Sequence, residues 1–331
     1  MPARRPIRVL LAAALAAAAL LAAHPAAAYR WDEHYYTVRL AFGPREGGEV
    51  ASLCAQLADE SPELGAISVY RRLMKHPLDY AAWTMGGRGA DETVGRMVTI
   101  QQLAHGLTGG SPAAVRAVAR ETAQSLSAAA RAEKDPRKRA NAQCALGFAM
   151  HLFGDSFSHA RIKNPAKMYP TGLGHFFDAT TPDQPLSSPT RLEMWREYLA
   201  AAPSLIPAGV EAAFEPIFAA AAESQRRARA GNSFAREELM HAETKALEGS
   251  GIQAALIEHN LSDQPCQAIV DAAAKGLAAK PDCEGAWTLY RDAAIKAVDA
   301  YEASPANVSE PFRVVKRPFF TGSPFSKGAQ W

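Results

Sequence analysis

The sequence lacks the features that define several common classes of protein. It has no Cys-x-x-Cys pair, which argues against a thiolate zinc site. β-branched residues are sparse and no convincing alternating pattern is present, which argues against a sheet protein. After the first 28 residues no apolar run is long enough to cross a bilayer. These absences favour a soluble helical chain without a transmembrane segment.

The amino terminus has the layout of a Sec-type signal peptide. Three arginines precede an apolar run at 9–23, which ends in His-Pro-Ala-Ala-Ala at 24–28. The arginines are Arg4, Arg5 and Arg8. We expect 1–28 to be removed, so that Tyr29 becomes the first residue of a periplasmic or secreted protein. The alternative is an uncleaved anchor, for which the run is short.

Removal of this segment changes the charge balance. It takes away three arginines and no acid, which leaves 33 basic residues against 34 acidic ones and a net charge near −1. Domains that bind nucleic acids are typically strongly basic. We therefore expect no stable nucleic-acid partner.

Four cysteines remain in the processed chain: Cys54, Cys144, Cys266 and Cys283. An even number in an exported protein indicates disulfides, and four cysteines allow three pairings. We favour Cys266 with Cys283, which closes a short loop, and by elimination Cys54 with Cys144. The alternative is a set of buried free thiols.

Abundant alanine and helical periodicity predict an all-α protein built as a multi-helix bundle. We expect one helical metal-binding domain at 29–303, with its motifs at 29–185, and a loosely packed tail at 304–331. The long stretch at 164–189, rich in Pro, Gly and Asn, is predicted to be a functional loop. The predicted helices span 33–42, 49–59, 91–108, 112–133, 136–159, 189–201, 207–230, 233–247, 251–261, 264–277 and 284–303.

One predicted helix carries the strongest chemical signal, with His151, Asp155 and His159 at every fourth position. Each step of four residues drifts by only about 40°, so the three side chains form one narrow stripe. The stripe is about 12 Å long, which is too long for one ion. It suits two or three metal ions with Asp155 as a bridge. The alternative is a hydrogen-bonded polar stripe without metal.

Two further segments offer ligands on either side of this helix. Downstream, His175 is followed by Asp178 and Asp183, either of which could be its carboxylate companion. Upstream, the α-amino group of Tyr29 would stand five residues before His34, and a metal can deprotonate such an amine near neutral pH.

Other candidates are single residues at helix ends. Asp59 lies at the end of an apolar helix, where an acid is unfavourable to the helix dipole, so we expect it to have another role. His105 lies late on an apolar helix and is the preferred fourth imidazole, with His76 of a predicted loop as the alternative. His241 and His259 are predicted to be surface residues.

These motifs resemble the zinc-dependent phospholipase C and single-strand nuclease superfamily, and in particular its poorly characterised bacterial branch. The resemblance rests on His-x3-Asp-Ser-Phe-x-His at 151–159, Gly-His-x7-Asp at 174–183 and His-Tyr-Tyr-Thr at 34–37. It implies a phospholipase C/nuclease-type bundle with additional C-terminal helices and two or three Zn²⁺ ions, with other divalent ions as the alternative. The gap between Asp155 and His159 is shorter than in characterised members. The implied metal ligands are Tyr29, His34, Asp59, His105 (or His76), His151, Asp155, His159, His175 and Asp183.

Clustered divalent ions of this kind suit phosphoester hydrolysis. The sequence therefore predicts a zinc-dependent phosphodiesterase of phospholipase C type with Asp59 and Asp155 as catalytic carboxylates and a phosphoester, such as a phospholipid, as substrate. The alternatives are a non-catalytic metal-stabilised binding protein of the cell envelope and a single-strand nuclease. Arg161 could meet a phosphate or be an exposed cation. Trp31, Tyr35 and Tyr36 could line a pocket or belong to the core.

Overall fold

The structure is a computed structural model that describes residues 31–43, 45–84, 92–172, 174, 188–206, 219, 223, 226, 264–314 and 323–325. Within these residues the chain forms ten α-helices and a short two-stranded hairpin, which confirms the all-α class. Among the helices of these ranges, none combines the length and the apolar character needed to cross a membrane.

The helices are numbered in chain order. They are α1 (Trp31–Phe42), α2 (Gly48–Glu60), α3 (Ala66–Leu73), α4 (Pro77–Thr84), α5 (Glu92–Leu103), α6 (Pro112–Ala132), α7 (Pro136–Ser158), α8 (Pro189–Ala201), α9 (Cys266–Ala273) and α10 (Cys283–Ala303). The hairpin consists of β1 (Ala160–Arg161) and β2 (Asn164–Met168), which pair antiparallel. Two 3₁₀ turns follow α8 and α10, at Ala202–Leu205 and Pro305–Asn307.

Local capping chemistry sets the starts of the long helices. α7 begins at Pro136 after Asp135, whose carboxylate accepts a hydrogen bond from the amide of Lys138 at 2.9 Å. A proline in the first turn loses no helical hydrogen bond, and the aspartate satisfies an otherwise unpaired amide. Asp282 caps α10 in the same way, through the amide of Gly285.

Several predicted helix bounds were wrong. The helix predicted at 91–108 ends at Leu103, so His105 lies in the turn after it. The helix predicted to end at His159 ends at Ser158, and His159 is its C-cap. Helices α3 and α4 were not predicted. Of the helices predicted at 207–230, 233–247 and 251–261, all but residues 219, 223 and 226 lie outside the described residues.

Helix α7 lies at the centre of the core and packs against α2, α6 and α10. Gly147 allows the closest approach, because a Cβ at this position would collide with the carbonyl oxygen of Ala51 on α2. On another side, Phe148 contacts Trp287 and Tyr290 of α10 edge to face. A helix enclosed in this way can hold polar side chains away from water.

Both favoured disulfides are present. Cys54–Cys144 joins α2 to α7, and Cys266–Cys283 joins α9 to α10. Disulfides persist in oxidising compartments outside the cytoplasm, and they agree with the expected export. The predicted signal peptide itself lies outside the described residues.

The described part of 304–331 contacts the core at two positions. Phe312 is completely buried, and Phe325 packs against the same apolar cluster from a half-buried position. Arg313 forms an isolated bridge with Gly109. The proposed division at residue 303 stays a prediction.

Candidate metal site

Six of the predicted ligands converge on one buried cluster. They come from α1, the end of α2, the turn after α5, and the last two turns and C-cap of α7. These residues are His34, Asp59, His105, His151, Asp155 and His159. Asp59 is the most exposed of them, with 5% of its side chain accessible, while the others are at 0–1%. The cluster is therefore almost completely shielded from solvent.

Four donor atoms of this cluster lie close together, and five of their six separations are those of atoms that share a metal ion, whereas Asp59 and Asp155 belong to different groups of three donors. His151 Nε2 lies 3.0 Å from Asp155 Oδ2 and 3.3 Å from His105 Nδ1. His105 Nδ1 is 3.3 Å from the same Asp155 oxygen, and Asp59 Oδ1 is 3.7 Å from each of the two ring nitrogens. A zinc ion with ligands at about 2.0–2.1 Å gives a tetrahedral edge of about 3.4 Å. The five distances bracket this value.

Backbone contacts fix the tautomers of two of these imidazoles. His151 Nδ1 lies 2.8 Å from the carbonyl of Ala55, and His105 Nε2 lies 2.8 Å from that of Leu64. A carbonyl only accepts, so these nitrogens carry the protons. The opposite nitrogens then turn lone pairs toward the cluster, as in metal-binding histidines held by outer hydrogen bonds.

The electrostatics leave the four atoms in need of a cation. Burial, together with the adjacent His34, lowers the pKa of His151 to about 4, so its imidazole is neutral at ordinary pH. Burial acts to raise the pKa of Asp155, but the neighbouring His159 and His151 outweigh it and hold this pKa well below its usual 3.8. An ionised carboxylate and imidazole lone pairs therefore face one another, and a buried charge of this kind is costly unless it is paired.

Asp155 also reaches a second group of donors with its other oxygen. Its Oδ1 lies 3.3 Å from His34 Nε2, while its Oδ2 faces His105 and His151. His34, His151 and Asp155 offer ligand atoms within 4.8 Å of one another, as do Asp59, His105 and His151. His151 is the residue that the two groups share, and the bridging role of Asp155 stays a prediction.

His159 lies beside these groups rather than in them. Its Nδ1 donates to the carbonyl of His105 at 2.5 Å and is 3.6 Å from Asp155 Oδ2. The end of α7 that holds it is clamped by Arg191 of α8, which is 2% exposed. The guanidinium of Arg191 donates to the carbonyls of Phe157, Ser158 and Ala160.

The remaining candidates are placed elsewhere or lie outside the described residues. His76 is half-buried, 3.9 Å from Asp79, and belongs to neither donor group, so His105 is the histidine that joins the cluster. Arg161 is half-buried and donates to the carbonyl of Met168. Tyr35 and Tyr36 are core residues. Tyr29, His175, Asp178, Asp183, His241 and His259 lie outside the described residues, as does the side chain of Trp31.

Sequence reasoning missed three residues that shape the cluster. Gly154 leaves room for His34 and Tyr198 against α7, and Arg191 clamps the helix end. Burial and the nearby charge of Asp155 raise the pKa of Tyr198, which keeps this phenol neutral. Only Gly154 had a visible signal, as a glycine inside a helical motif. Arg191 and Tyr198 lie on a helix whose contact with α7 no local pattern reveals.

The described residues thus form buried His/Asp groups that could hold a metal ion, while the identity of that ion and the role of each ligand stay predictions. No protein-family model matches the sequence, and neither a curated protein nor a solved structure is significantly similar to it.

Proposed function

We propose that this protein is a zinc-dependent phosphoester hydrolase of phospholipase C type that acts outside the cytoplasm. The observation that carries the proposal is the convergence of two groups of three donors, one on Asp59, His105 and His151 and the other on His34, His151 and Asp155. Two carboxylates and imidazole nitrogens are the ligand types that zinc prefers. The resemblance of the motifs to the phospholipase C and nuclease superfamily supports the same reading.

The residues divide into sites for neighbouring ions. Asp59, His105 and His151 would hold one ion. His34 and the second oxygen of Asp155 would hold another, together with the amine and carbonyl of Tyr29. His159 would contribute to a third site with His175 and either Asp178 or Asp183. The assignments of Tyr29, His175, Asp178 and Asp183 rest on the sequence motifs and the resemblance. Those of the other six residues, Asp59, His105, His151, Asp155, His34 and His159, rest on their observed convergence.

Divalent ions bound there would lower the pKa of a coordinated water and neutralise charge that develops on a phosphate. The side chains would supply a fixed charge, a proton acceptor and oriented imidazole rings. Asp155, inaccessible to solvent, holds its charge fixed between the imidazoles. Asp59, the most exposed member of the cluster, would be the carboxylate that accepts a proton from an attacking water. Outer hydrogen bonds from His151 to Ala55 and from His105 to Leu64 keep both rings oriented throughout.

One observation favours a second candidate, a metal-stabilised binding protein without catalysis. Asp155 and the imidazoles of His34, His105 and His151 have no solvent exposure. A structural metal site is closed by its protein ligands, whereas a catalytic one keeps a position open to water. Both the hydrolase and the binding protein would hold a metal ion, but only the hydrolase would turn over a substrate.

The test compares the processed protein with Asp155→Asn, which keeps the shape of the side chain and removes its charge. We expect zinc in elemental analysis and hydrolysis of bis(p-nitrophenyl) phosphate, both reduced at least tenfold in Asp155→Asn, because loss of even an outer partner of a metal ligand typically costs about 10–100-fold. Asp292→Asn, an exposed position, is the control and should behave as the unchanged protein. Bound zinc without turnover on model, lipid or nucleotide esters would favour the binding protein, and absence of zinc would end both candidates.

A further inference from the structure

The hairpin that follows α7 is tied directly to the candidate metal site. β1 begins one residue after His159, and the amide of Tyr169 donates back to the carbonyl of His159 at 2.9 Å. The amide of Met168 donates to the carbonyl of Gly110 at the same distance. Both ends of the hairpin are therefore fixed, and its tip has a defined position relative to the cluster.

The tip of this hairpin is exposed over six consecutive residues, from Ile162 to Lys167. It carries two lysines, Lys163 and Lys167, and neither forms an ion pair with any residue that the structure describes. The sequence from 156 to 177 contains no acidic residue. The hairpin therefore presents positive charge that no acid of its own segment offsets.

An apolar side chain accompanies this charge. Ile162, directly before Lys163, has 37% of its surface exposed, although a large aliphatic residue is more commonly buried. Lysine next to an exposed aliphatic residue matches the boundary of a bilayer, where headgroup phosphates lie above acyl chains. The phosphates of a nucleic acid would match the lysines but not Ile162. The processed chain also has a net charge near zero, whereas domains that bind nucleic acids are typically strongly basic.

We propose that the tip of this hairpin, Ile162–Lys167, docks the protein onto a bilayer that contains anionic phospholipids. The proposal deepens the proposed function, because docking would bring lipid phosphodiesters to the side of the molecule where the metal cluster lies. Docking itself needs no hydrolysis, and it can be measured separately.

The test is co-sedimentation of the metal-loaded protein with vesicles of phosphatidylcholine, with and without phosphatidylserine, at low ionic strength. We expect binding to the mixed vesicles that falls as salt rises. The double variant Lys163→Gln with Lys167→Gln should weaken vesicle binding by about 30-fold, because each lysine near an anionic surface strengthens binding by about fivefold. The matched control is Lys275→Gln with Lys296→Gln, which removes two exposed lysines elsewhere and should leave binding unchanged.

A separate pair of variants tests the contribution of the apolar side chain to vesicle binding. Ile162→Asn should weaken binding to mixed vesicles, whereas Leu289→Asn, at a position of similar exposure on α10, should not. Equal binding to both vesicle types, or equal loss in the two double variants, would overturn the proposal. Stronger retention of single-stranded DNA than of vesicles would also overturn it and assign the hairpin to nucleic acids.

Hydrolysis of a soluble ester tests the proposed function separately from vesicle binding. Both double lysine variants should hydrolyse bis(p-nitrophenyl) phosphate as the unchanged protein does. If vesicles bind and no ester is cleaved, the docking surface stands and the hydrolase fails. If esters are cleaved and the double variant Lys163→Gln with Lys167→Gln binds vesicles as the unchanged protein does, the hydrolase stands and the docking surface fails.

Discussion

Gly154 determines whether His34 can lie against α7. A Cβ at this position would lie 2.7 Å from Cε1 of His34 and 2.9 Å from Cζ of Tyr198, closer than real Cβ contacts. The ring of His34 also stacks on that of His151, with centroids 4.0 Å apart, so it has no room to retreat in that direction. One missing methyl group thus sets the position of a proposed ligand.

Gly154→Ala is predicted to displace His34 and to reduce the zinc that depends on it, while the group built on Asp59, His105 and His151 stays. Alanine is a better helix former than glycine by about 1 kcal/mol, so loss of metal would not reflect a weaker helix. Elemental analysis and competition with a zinc-binding dye would measure the change.

The control for this variant is Gly276→Ala. A Cβ at Gly276 meets nothing within 4 Å, so its zinc content should not change. Unchanged zinc content in Gly154→Ala would show that His34 is not a ligand.

Among the secondary-structure elements, the two disulfides have unequal roles. Cys54–Cys144 spans 90 residues and joins α2, which carries Asp59, to α7, which carries His151 and Asp155. Cys266–Cys283 spans 17 residues and joins α9 to α10, neither of which supplies a candidate ligand. The first disulfide therefore supports both the core and the site.

Replacement of Cys54 and Cys144 by alanine is expected to lower the free energy of unfolding by roughly 4–5 kcal/mol and to weaken zinc binding. The same change at Cys266 and Cys283 is expected to cost roughly 3 kcal/mol, because a shorter closed loop restricts the unfolded chain less. Denaturant unfolding would measure the stabilities, and zinc competition the affinities. Equal loss of zinc affinity in both variants would contradict a special role for the link between α2 and α7.

For the whole molecule, a metal ion bound at this cluster would couple metal binding to folding. His34, His105, His151 and Asp155 come from three separated parts of the chain and are completely buried. Without a cation, their converging lone pairs and charge oppose folding, and with one they stabilise it. The unfolded chain has no assembled site, so the metal binds the folded state preferentially.

A chelator is therefore expected to lower the melting temperature, and added zinc to restore it. Stability should rise by up to about 1.4 kcal/mol for each tenfold increase in free zinc per bound ion. Thermal unfolding followed by circular dichroism would measure this effect, with Asp155→Asn as a variant that should respond much less. A melting temperature that is the same with chelator and with zinc would contradict the coupling.

Prediction from sequence succeeded where structure depends on neighbours in the chain. The helix at 189–201 was predicted with its observed bounds, because Ser188 and Pro189 mark its start locally. The helix predicted to run to residue 108 ends earlier, and the chain turns through Gly106 at a φ of 62°. The short α4 was missed because its docking depends on distant residues, such as the hydrogen bond from Tyr80 to Thr171.

The sequence by itself determined the helical class, the donor types, and the placement of His151 and Asp155 one turn apart, since helical spacing is local geometry. Only the tertiary structure decided that His105 rather than His76 joins the cluster, which ring nitrogens face it, and that Arg191 clamps the end of α7. His105 and His151 are 46 residues apart and meet only because α7 packs against its neighbours. Such contacts depend on how whole helices are packed, which no local pattern encodes.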